Sequence, residues 1–231
     1  MTRTRDERQD RFVKELSRLE RRELAQLRRG LGGENVYWLG RLFALTGYGE
    51  APNRTKEALQ LLASLYALKP QASDDTQGEV TEENPQAKGQ ERGVSIGFLM
   101  AQVHLEQNRK NGRLPSEASS TEKRLLGLLD ADWEGISYHL RQAVTLLNAQ
   151  EQTHDWAELT DDLLALSRST TSAGRVRTKW AQDFYAEIGK AQAAMQKATE
   201  KSAVLTSQSP SAPSTPPLDQ PADQDEEGET L

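Results

Sequence analysis

The 231-residue sequence contains no cysteine and only three histidines, and it has no long apolar run. The absence of cysteine excludes disulfide bonds and thiolate metal sites, and it fits a reducing compartment. No apolar run approaches the roughly 20 residues that a membrane-spanning helix needs. The first ten residues are too charged for a signal peptide. We therefore expect a soluble, cytoplasmic protein that does not cross a membrane.

The sequence also lacks the residue patterns that carry enzymatic chemistry. His104, His139 and His154 lie in different segments, and no two have the i, i+4 spacing of a helical zinc site. There is no Walker loop and no Gly-x-Ser-x-Gly elbow. The adjacent acids Asp161 and Asp162 could act in acid/base catalysis only if they were buried with shifted pKa values. Nothing in the sequence indicates burial, so we assign them to the solvated side of a helix. We therefore predict a protein that is not an enzyme and that holds no metal or cofactor.

Charge is unevenly distributed along the chain. The formal net charge is -6, but residues 202–231 carry six acids and no base, and residues 70–92 contribute -4. Without these two segments the rest of the chain carries +4. The whole-chain charge argues against an anionic partner, whereas the charge of the helical part does not.

Apolar residues recur with helical spacing, and signals for strands are nearly absent. Ser119, Asp132 and Asp155 stand where N-caps are expected, each just before an apolar pattern. We predict an all-α compact bundle of roughly seven to nine helices. The predicted segments are 12–29, 35–45, 54–68 and 93–108, three helices that begin near the caps, and 173–201.

Two segments are predicted to lie outside the packed bundle. Residues 70–92 are predicted to form a long acidic loop inserted into a helical domain that spans residues 1–201. Residues 202–231 are rich in Ser, Pro and acids and cannot bury enough apolar surface to offset the entropy of ordering, so we expect a disordered tail.

Basic residues form three clusters within the predicted helical part. Arginine suits phosphate because its guanidinium offers two parallel donors, so these clusters are candidates for binding a nucleic-acid backbone. Without a base-reading motif, such contacts would be independent of sequence. A solvated helix face with local ion pairs remains the alternative. The clusters are Arg28 and Arg29, then Lys123, Arg124 and Arg141, then Arg175, Arg177 and Lys179.

Several short motifs occur in a fixed order between residues 12 and 185. They are LAQLRRG at 24–30, YW at 37–38, LFAL at 42–45, SIG at 95–97, TEKRLL at 121–126, LRQAV at 140–144, DW at 155–156 and FY at 184–185. In order and spacing they resemble the CasB family, the small subunit of the type I-E CRISPR Cascade complex. The acidic insertion and the tail go beyond the family pattern.

The resemblance implies an all-helical, non-catalytic subunit that is present in two copies and contacts the crRNA-carrying backbone and the large subunit. Its implied role is to stabilise the crRNA–target hybrid and to hold the displaced DNA strand. The matched positions that it assigns to nucleic-acid binding are Arg28, Arg29, Arg124 and Arg141. We add Lys123, Arg175, Arg177 and Lys179 on charge alone. The tryptophans, which lie on apolar seams, are interpreted as core residues before base-stacking ones.

Two other functions are compatible with the residues. A helical adaptor that binds only proteins would use the same basic faces against acidic partners. A free-standing DNA-binding regulator would need a helix-turn-helix, and none is recognisable here. The adaptor is therefore the main alternative to the CasB-like function.

Overall fold

A computed structural model describes residues 7–29, 37–69 and 93–207 of the chain. Within these residues it contains nine α-helices and no strand, which confirms the predicted all-α class. The helices are α1 (Glu7–Leu16), α2 (Arg21–Arg28), α3 (Tyr37–Leu45), α4 (Asn53–Tyr66), α5 (Ile96–Lys110), α6 (Ser120–Asp130), α7 (Trp133–Ala149), α8 (Trp156–Arg168) and α9 (Thr170–Ser207).

The predicted N-caps begin the helices that follow them. The Ser119 hydroxyl accepts a hydrogen bond from the Glu122 N–H at 3.1 Å, and the Asp132 carboxylate accepts one from Gly135 N–H at 2.7 Å. Asp155 caps α8 in the same way. Each cap satisfies a backbone donor that has no partner inside its helix, so short polar residues fix where α6, α7 and α8 begin.

The first basic segment does not form one continuous helix. α1 ends at Leu16, and α2 begins at Arg21, where the Glu23 carboxylate accepts a hydrogen bond from Glu20 N–H at 2.9 Å. This contact starts a new helix, because it satisfies a donor at the N-terminal end of α2. A single helix over 12–29 would place Arg18, Arg22 and Arg29 on one face. Because the helix is interrupted between Leu16 and Arg21, these arginines do not share a helix face.

The core is centred on α4, which packs against α2, α7 and α8. Half of its 14 residues are buried, including Leu59, Leu62 and Leu65. α9 contributes Trp180 and Phe184, both fully buried, and α1 contributes Phe12, which stacks on Phe43 with ring centroids 6.2 Å apart. The apolar spacing predicts a seam on α5 (Ile96, Leu99, Met100 and Val103) and one on α7 (Trp133, Ile136, Leu140, Val144 and Leu147). All of these residues are buried except Trp133, which is partly buried and packs against the core.

α5 and α9 approach each other closely at a glycine. A Cβ atom added to Gly97 would lie 2.0 Å from the Trp180 carbonyl oxygen and 2.7 Å from its carbonyl carbon. Only a residue without a side chain fits this position, so Gly97 sets the distance between α5 and α9.

The chain divides into two compact units, residues 1–194 and 195–231. α9 begins at Thr170, three residues before the predicted start, and its backbone is helical to Ser207. The apolar spacing of Trp180, Phe184, Ile188 and Met195 predicts one buried seam on this helix, but Met195 is 47% exposed and the buried seam ends at Ile188. The predicted acidic loop at 70–92 lies outside the described residues. Of the predicted disordered tail at 202–231, residues 202–207 are instead helical, as the end of α9, and the rest lies outside the described residues.

Candidate nucleic-acid interface

The eight basic residues predicted to bind nucleic acid lie on four neighbouring parts of the bundle. α7 packs against α6, and α9 runs antiparallel to α6, because Tyr185 bonds Glu122 near one end and Arg177 bonds Ala131 at the other. The residues lie at the end of α2 (Arg28 and Arg29), on α6 (Lys123 and Arg124), on α7 (Arg141) and in the first half of α9 (Arg175, Arg177 and Lys179).

Arg28 and Arg141 bind backbone carbonyls at the ends of helices. The Arg28 guanidinium donates hydrogen bonds to the carbonyls of Ala67 and Lys69, which follow α4. Arg141 donates to the Arg28 carbonyl at 2.7 Å, across a separation of 113 residues. Carbonyls at a helix C-terminus lack intrahelical partners and carry partial negative charge, so these arginines stabilise the ends of α4 and α2.

Arg177 has the same kind of contact. Its guanidinium donates a 2.6 Å hydrogen bond to the carbonyl of Ala131, the C-cap residue that follows α6. The side chain is half-buried, and its Nε atom is buried without a hydrogen-bond partner among the described residues. Three of the eight predicted residues thus hold helix ends in place.

Lys179 belongs to a partly buried ionic network, in which the Lys179 side chain is 34% exposed and Asp162 is buried. Its ammonium donates hydrogen bonds to Glu158 and, at 3.0 Å, to Asp162, and the Trp180 indole N–H donates to Asp162 at 2.6 Å. Asp162 is only 3% exposed, so its assignment to a solvated helix face is wrong. The cause is α9, which covers this side of α8 and supplies both donors.

The network shifts the ionisation of its members in opposing ways. Burial raises the pKa of the Asp162 carboxyl, and the Lys179 charge and the Trp180 N–H offset part of that rise. Burial alone lowers the pKa of the Lys179 ammonium, but the attraction of Asp162 and Glu158 raises it by more, so Lys179 stays charged at neutral pH. With two carboxylates beside it, the Lys179 cation is already neutralised.

Four predicted residues remain available to a ligand. Their side chains are exposed and have no hydrogen-bond or ion-pair partner among the residues that the structure describes; they are Arg29, Lys123, Arg124 and Arg175. Exposed guanidinium and ammonium groups of this kind can neutralise phosphates along a nucleic-acid backbone.

Sequence reasoning missed Arg168. This exposed arginine ends α8 and lines a groove of about 380 Å³ together with Arg175 and Lys179. In the sequence, the only sign of this residue's role is its position seven residues before Arg175. The two arginines are brought to one groove by the corner between α8 and α9, which the sequence does not show.

His104 and the tryptophans contribute to the packing and hydrogen bonding of the fold. His104 is buried and hydrogen-bonded to the Ser119 hydroxyl at 2.7 Å and to the Pro115 carbonyl at 2.9 Å. Trp156 and Trp180 are buried, as the core interpretation expected, whereas Trp38 and Trp133 are only partly buried and pack against the core. Within the described ranges no three His, Asp or Glu side chains are grouped as a metal site, and no helix is both long and apolar enough to cross a membrane.

His154 makes stability depend on pH. Its Nε2 donates to the Asn148 side-chain oxygen at 2.9 Å, and its Nδ1 is buried without a partner among the described residues. Burial, with a smaller effect from Lys69, lowers its pKa from 6.5 to about 4. The folded state therefore resists protonation that the unfolded state accepts, and stability falls as pH drops from 6.5 to 4.

We expect His154→Gln to flatten this pH dependence. The wild-type protein should lose about 2 kcal/mol more than the variant between those limits, after allowance for the partial exposure of the ring. Urea unfolding at a series of pH values measures the difference. If the free energy of unfolding varies with pH in the same way for both proteins, the pH dependence does not come from His154. His139→Gln is a matched control, since His139 lies on the side of α7 that faces Gly127 of α6.

The comparisons with known proteins agree with this fold. Residues 23–185 match the family described as CRISPR-associated protein Cse2, and the chain therefore belongs to that family, whose members are also called CasB. A CRISPR-associated protein Cse2 of Thermus thermophilus is 32% identical over 137 residues, which cover 59% of this chain and 61% of that relative. The match thus spans less than two thirds of the relative's length.

Solved structures extend the match over nearly a whole relative. CasB of M. ruber shares 30% sequence identity and superimposes with a TM-score of 0.60, covering 79% of this chain and 95% of its own. A chain in a CRISPR RNA-guided surveillance complex described as pre-nicking is 24% identical, with a TM-score of 0.57 and coverage of 83% and 98%. At that identity the second likeness establishes the fold alone. The CasB resemblance in the sequence is confirmed.

Proposed function

We propose that this chain is a non-catalytic small subunit of a type I-E CRISPR Cascade surveillance complex. Its partners would be the crRNA-carrying backbone, the large subunit and a second copy of itself. The observation that carries this proposal is the match to CasB of M. ruber, which covers 95% of that protein. A fold retained over nearly the whole length supports the same place in an assembly.

The basic surface supports contact with crRNA and target DNA. Arg29, Lys123 and Arg124 are exposed and without partners among the described residues, so each can bind a phosphate at little cost to the fold. Since pairing with the guide supplies specificity in such complexes, the subunit needs only backbone contacts. These contacts would stabilise the crRNA–target hybrid and the displaced strand.

The alternative is a helical adaptor that binds proteins alone. One observation favours it: Arg28, Arg141, Arg177 and Lys179 are engaged in intramolecular hydrogen bonds, which leaves only half of the predicted cations for a ligand. The two functions differ in their response to salt. Phosphate binding weakens steeply as salt rises, whereas a mostly apolar interface does not.

Affinity purification of the tagged chain from its native cells tests the proposal. We expect a multi-subunit particle that contains a short, repeat-flanked RNA. Recovery of protein partners without RNA would favour the adaptor, and recovery of the chain alone would contradict both functions.

Charge reversal tests the exposed cations. A variant with Arg29→Glu, Lys123→Glu and Arg124→Glu should no longer bind nucleic acid as an isolated chain, and the slope of log affinity against log salt should fall by roughly 0.7 for each single-strand phosphate that is no longer neutralised. Arg28 is left intact because it holds the end of α4. The matched control reverses Arg11, Arg41 and Arg113, which are also exposed, and should bind as wild type. Equal weakening in both variants would assign the effect to net charge and contradict the site.

A further inference from the structure

The loop between α5 and α6 is held by two buried polar side chains. Asn108, which is 2% exposed, donates hydrogen bonds from its amide to the carbonyls of Leu114 at 3.1 Å and Glu117 at 2.8 Å. His104, which is 1% exposed, lies one turn earlier on α5 and is hydrogen-bonded to the Pro115 carbonyl at 2.9 Å. Burial of polar side chains costs free energy unless their atoms are hydrogen-bonded. Here the hydrogen bonds go to the loop, so Asn108 and His104 fix its shape.

The backbone of this loop is also held by its own contacts. The Arg113 N–H donates to the Asn108 carbonyl at 2.8 Å, and the Glu117 carboxylate accepts from the Leu114 N–H at 2.9 Å. Gly112 has a φ of 65°, a left-handed conformation that glycine adopts without strain. A loop that is already ordered in the free chain loses little conformational entropy when a partner binds it, so this loop is suited to docking.

The tip of the loop presents one exposed leucine and one free cation. Leu114 is 51% exposed, and the adjacent Arg113 is exposed with no side-chain hydrogen bond or ion pair to the described residues. The two cations at the end of α5 differ from it, because Arg109 and Lys110 both form ion pairs with Glu106. A single exposed leucine is ordinary on a protein surface. It is informative on this loop, because loops held by a rigid scaffold commonly carry binding residues.

The composition of the tip favours a protein over a nucleic acid. Phosphate-binding surfaces carry several free cations, whereas Arg113 stands beside an apolar side chain and near the Glu117 carboxylate. Residues 109–119 contain no aromatic ring on which a base could stack. Leucine gains from leaving water for an apolar pocket, and arginine gains from a carboxylate beside that pocket.

The cavity described at the α8–α9 corner does not match this tip. It is lined by Arg168 and Arg175, whose charges would repel Arg113 of another copy of the chain. The charge of the tip therefore favours a pocket on a different protein.

We infer that the α5–α6 loop docks onto a neighbouring protein subunit, with Leu114 in an apolar pocket and Arg113 paired with a carboxylate at its rim. This inference rests on the proposed function and adds to it a surface that contacts protein, separate from the exposed cations assigned to nucleic acid. Asn108 and His104 hold the loop in shape and do not touch the partner.

The test compares Arg113→Ala/Leu114→Ser with Arg41→Ala/Leu45→Ser in the full chain. The control makes the same two changes at exposed positions of α3, where Leu45 is 55% exposed. Each labelled variant is assembled into the multi-subunit particle, and its release is followed after excess unlabelled wild-type chain is added. We expect the loop variant to leave roughly tenfold faster or more, and the control to leave as wild type does. Both free variants should keep the wild-type melting temperature and affinity for nucleic acid, so that faster release reports on docking alone.

A photoreactive benzophenone amino acid in place of Leu114 identifies what the loop touches. On irradiation of the assembled particle, we expect a cross-link to a protein subunit that differs in sequence from this chain. A cross-link to RNA or DNA, or to a second copy of the chain, overturns the assignment of the partner.

Two outcomes separate this inference from the proposed function. Loop and control variants that leave the particle at the same rate overturn the inference while the proposed function stands. Purification of the native chain alone contradicts the proposed function, and the inference falls with it.

Discussion

Gly97→Ala should destabilise the protein by roughly 3 kcal/mol or more, because the new methyl group has no space. The added Cβ would lie 2.0 Å from the Trp180 carbonyl oxygen, and this neighbour is backbone inside α9, so it cannot rotate away. The two helices must separate, which loosens the packing around the buried Trp180 and Phe184. Typical proteins have only about 5–15 kcal/mol of stability, so the decrease is a large fraction of the total.

Thermal unfolding followed by circular dichroism measures this effect. For a domain of this size, a decrease of about 3 kcal/mol corresponds to a melting temperature lower by about 6–12 °C. Gly189→Ala is the control, since Gly189 lies inside α9, the helix that carries Trp180, with nothing within 4 Å of an added Cβ. There the same substitution should stabilise by about 0.5–1 kcal/mol, because alanine is the better helix former. A similar change at both positions would show that the close approach at Gly97 is not rigid.

Lys179→Met should cost about 3 kcal/mol at neutral pH, because it leaves the Asp162 carboxylate buried without its cation. Asp162 is 3% exposed and would retain only the Trp180 indole donor. Burial already raises the pKa of Asp162 above its ordinary value, and removal of Lys179 takes away an effect that lowers it. The carboxyl therefore takes up a proton more readily in the folded variant than in the unfolded chain.

The sign of the pH dependence follows from that difference. A carboxyl whose folded pKa is raised destabilises the protein at high pH, and the deficit shrinks as pH falls through the folded value. The gap between variant and wild type should therefore narrow in acid, as measured by urea unfolding at matched pH. The double variant Lys179→Met/Asp162→Asn should recover most of the stability, since the amide is neutral and its oxygen still accepts from Trp180. A deficit that persists in the double variant would instead assign the effect to altered packing of the lysine stem.

Local features of the sequence are sufficient to predict most helix starts. Ser119, Asp132 and Asp155 act within four residues of their own positions, so their roles can be predicted without knowing the tertiary structure. The break at Glu20 is also local, but its cap is made by two glutamates instead of a serine or threonine. Apolar periodicity continues across it, and for that reason the sequence alone favours one helix over 12–29.

The environments of the basic residues could not be predicted in the same way. Arg28, Arg141 and Arg177 bond carbonyls that are 39, 113 and 46 residues away. The sequence places Asp162 on a solvated face because nothing in α8 itself indicates that α9 covers it. Composition and spacing identify a cation, but only the packed helices decide whether it faces the solvent or another part of the chain.

The arginine contacts at helix ends also bear on how the protein folds. The carbonyls at the C-terminal ends of α2, α4 and α6 receive these donors only when distant segments of the chain have met. Such non-local contacts are costly to form early, because the intervening chain must first be closed into a loop. The last turns of these helices are therefore completed together with tertiary packing and not before it, a coupling that favours a single cooperative transition for the bundle.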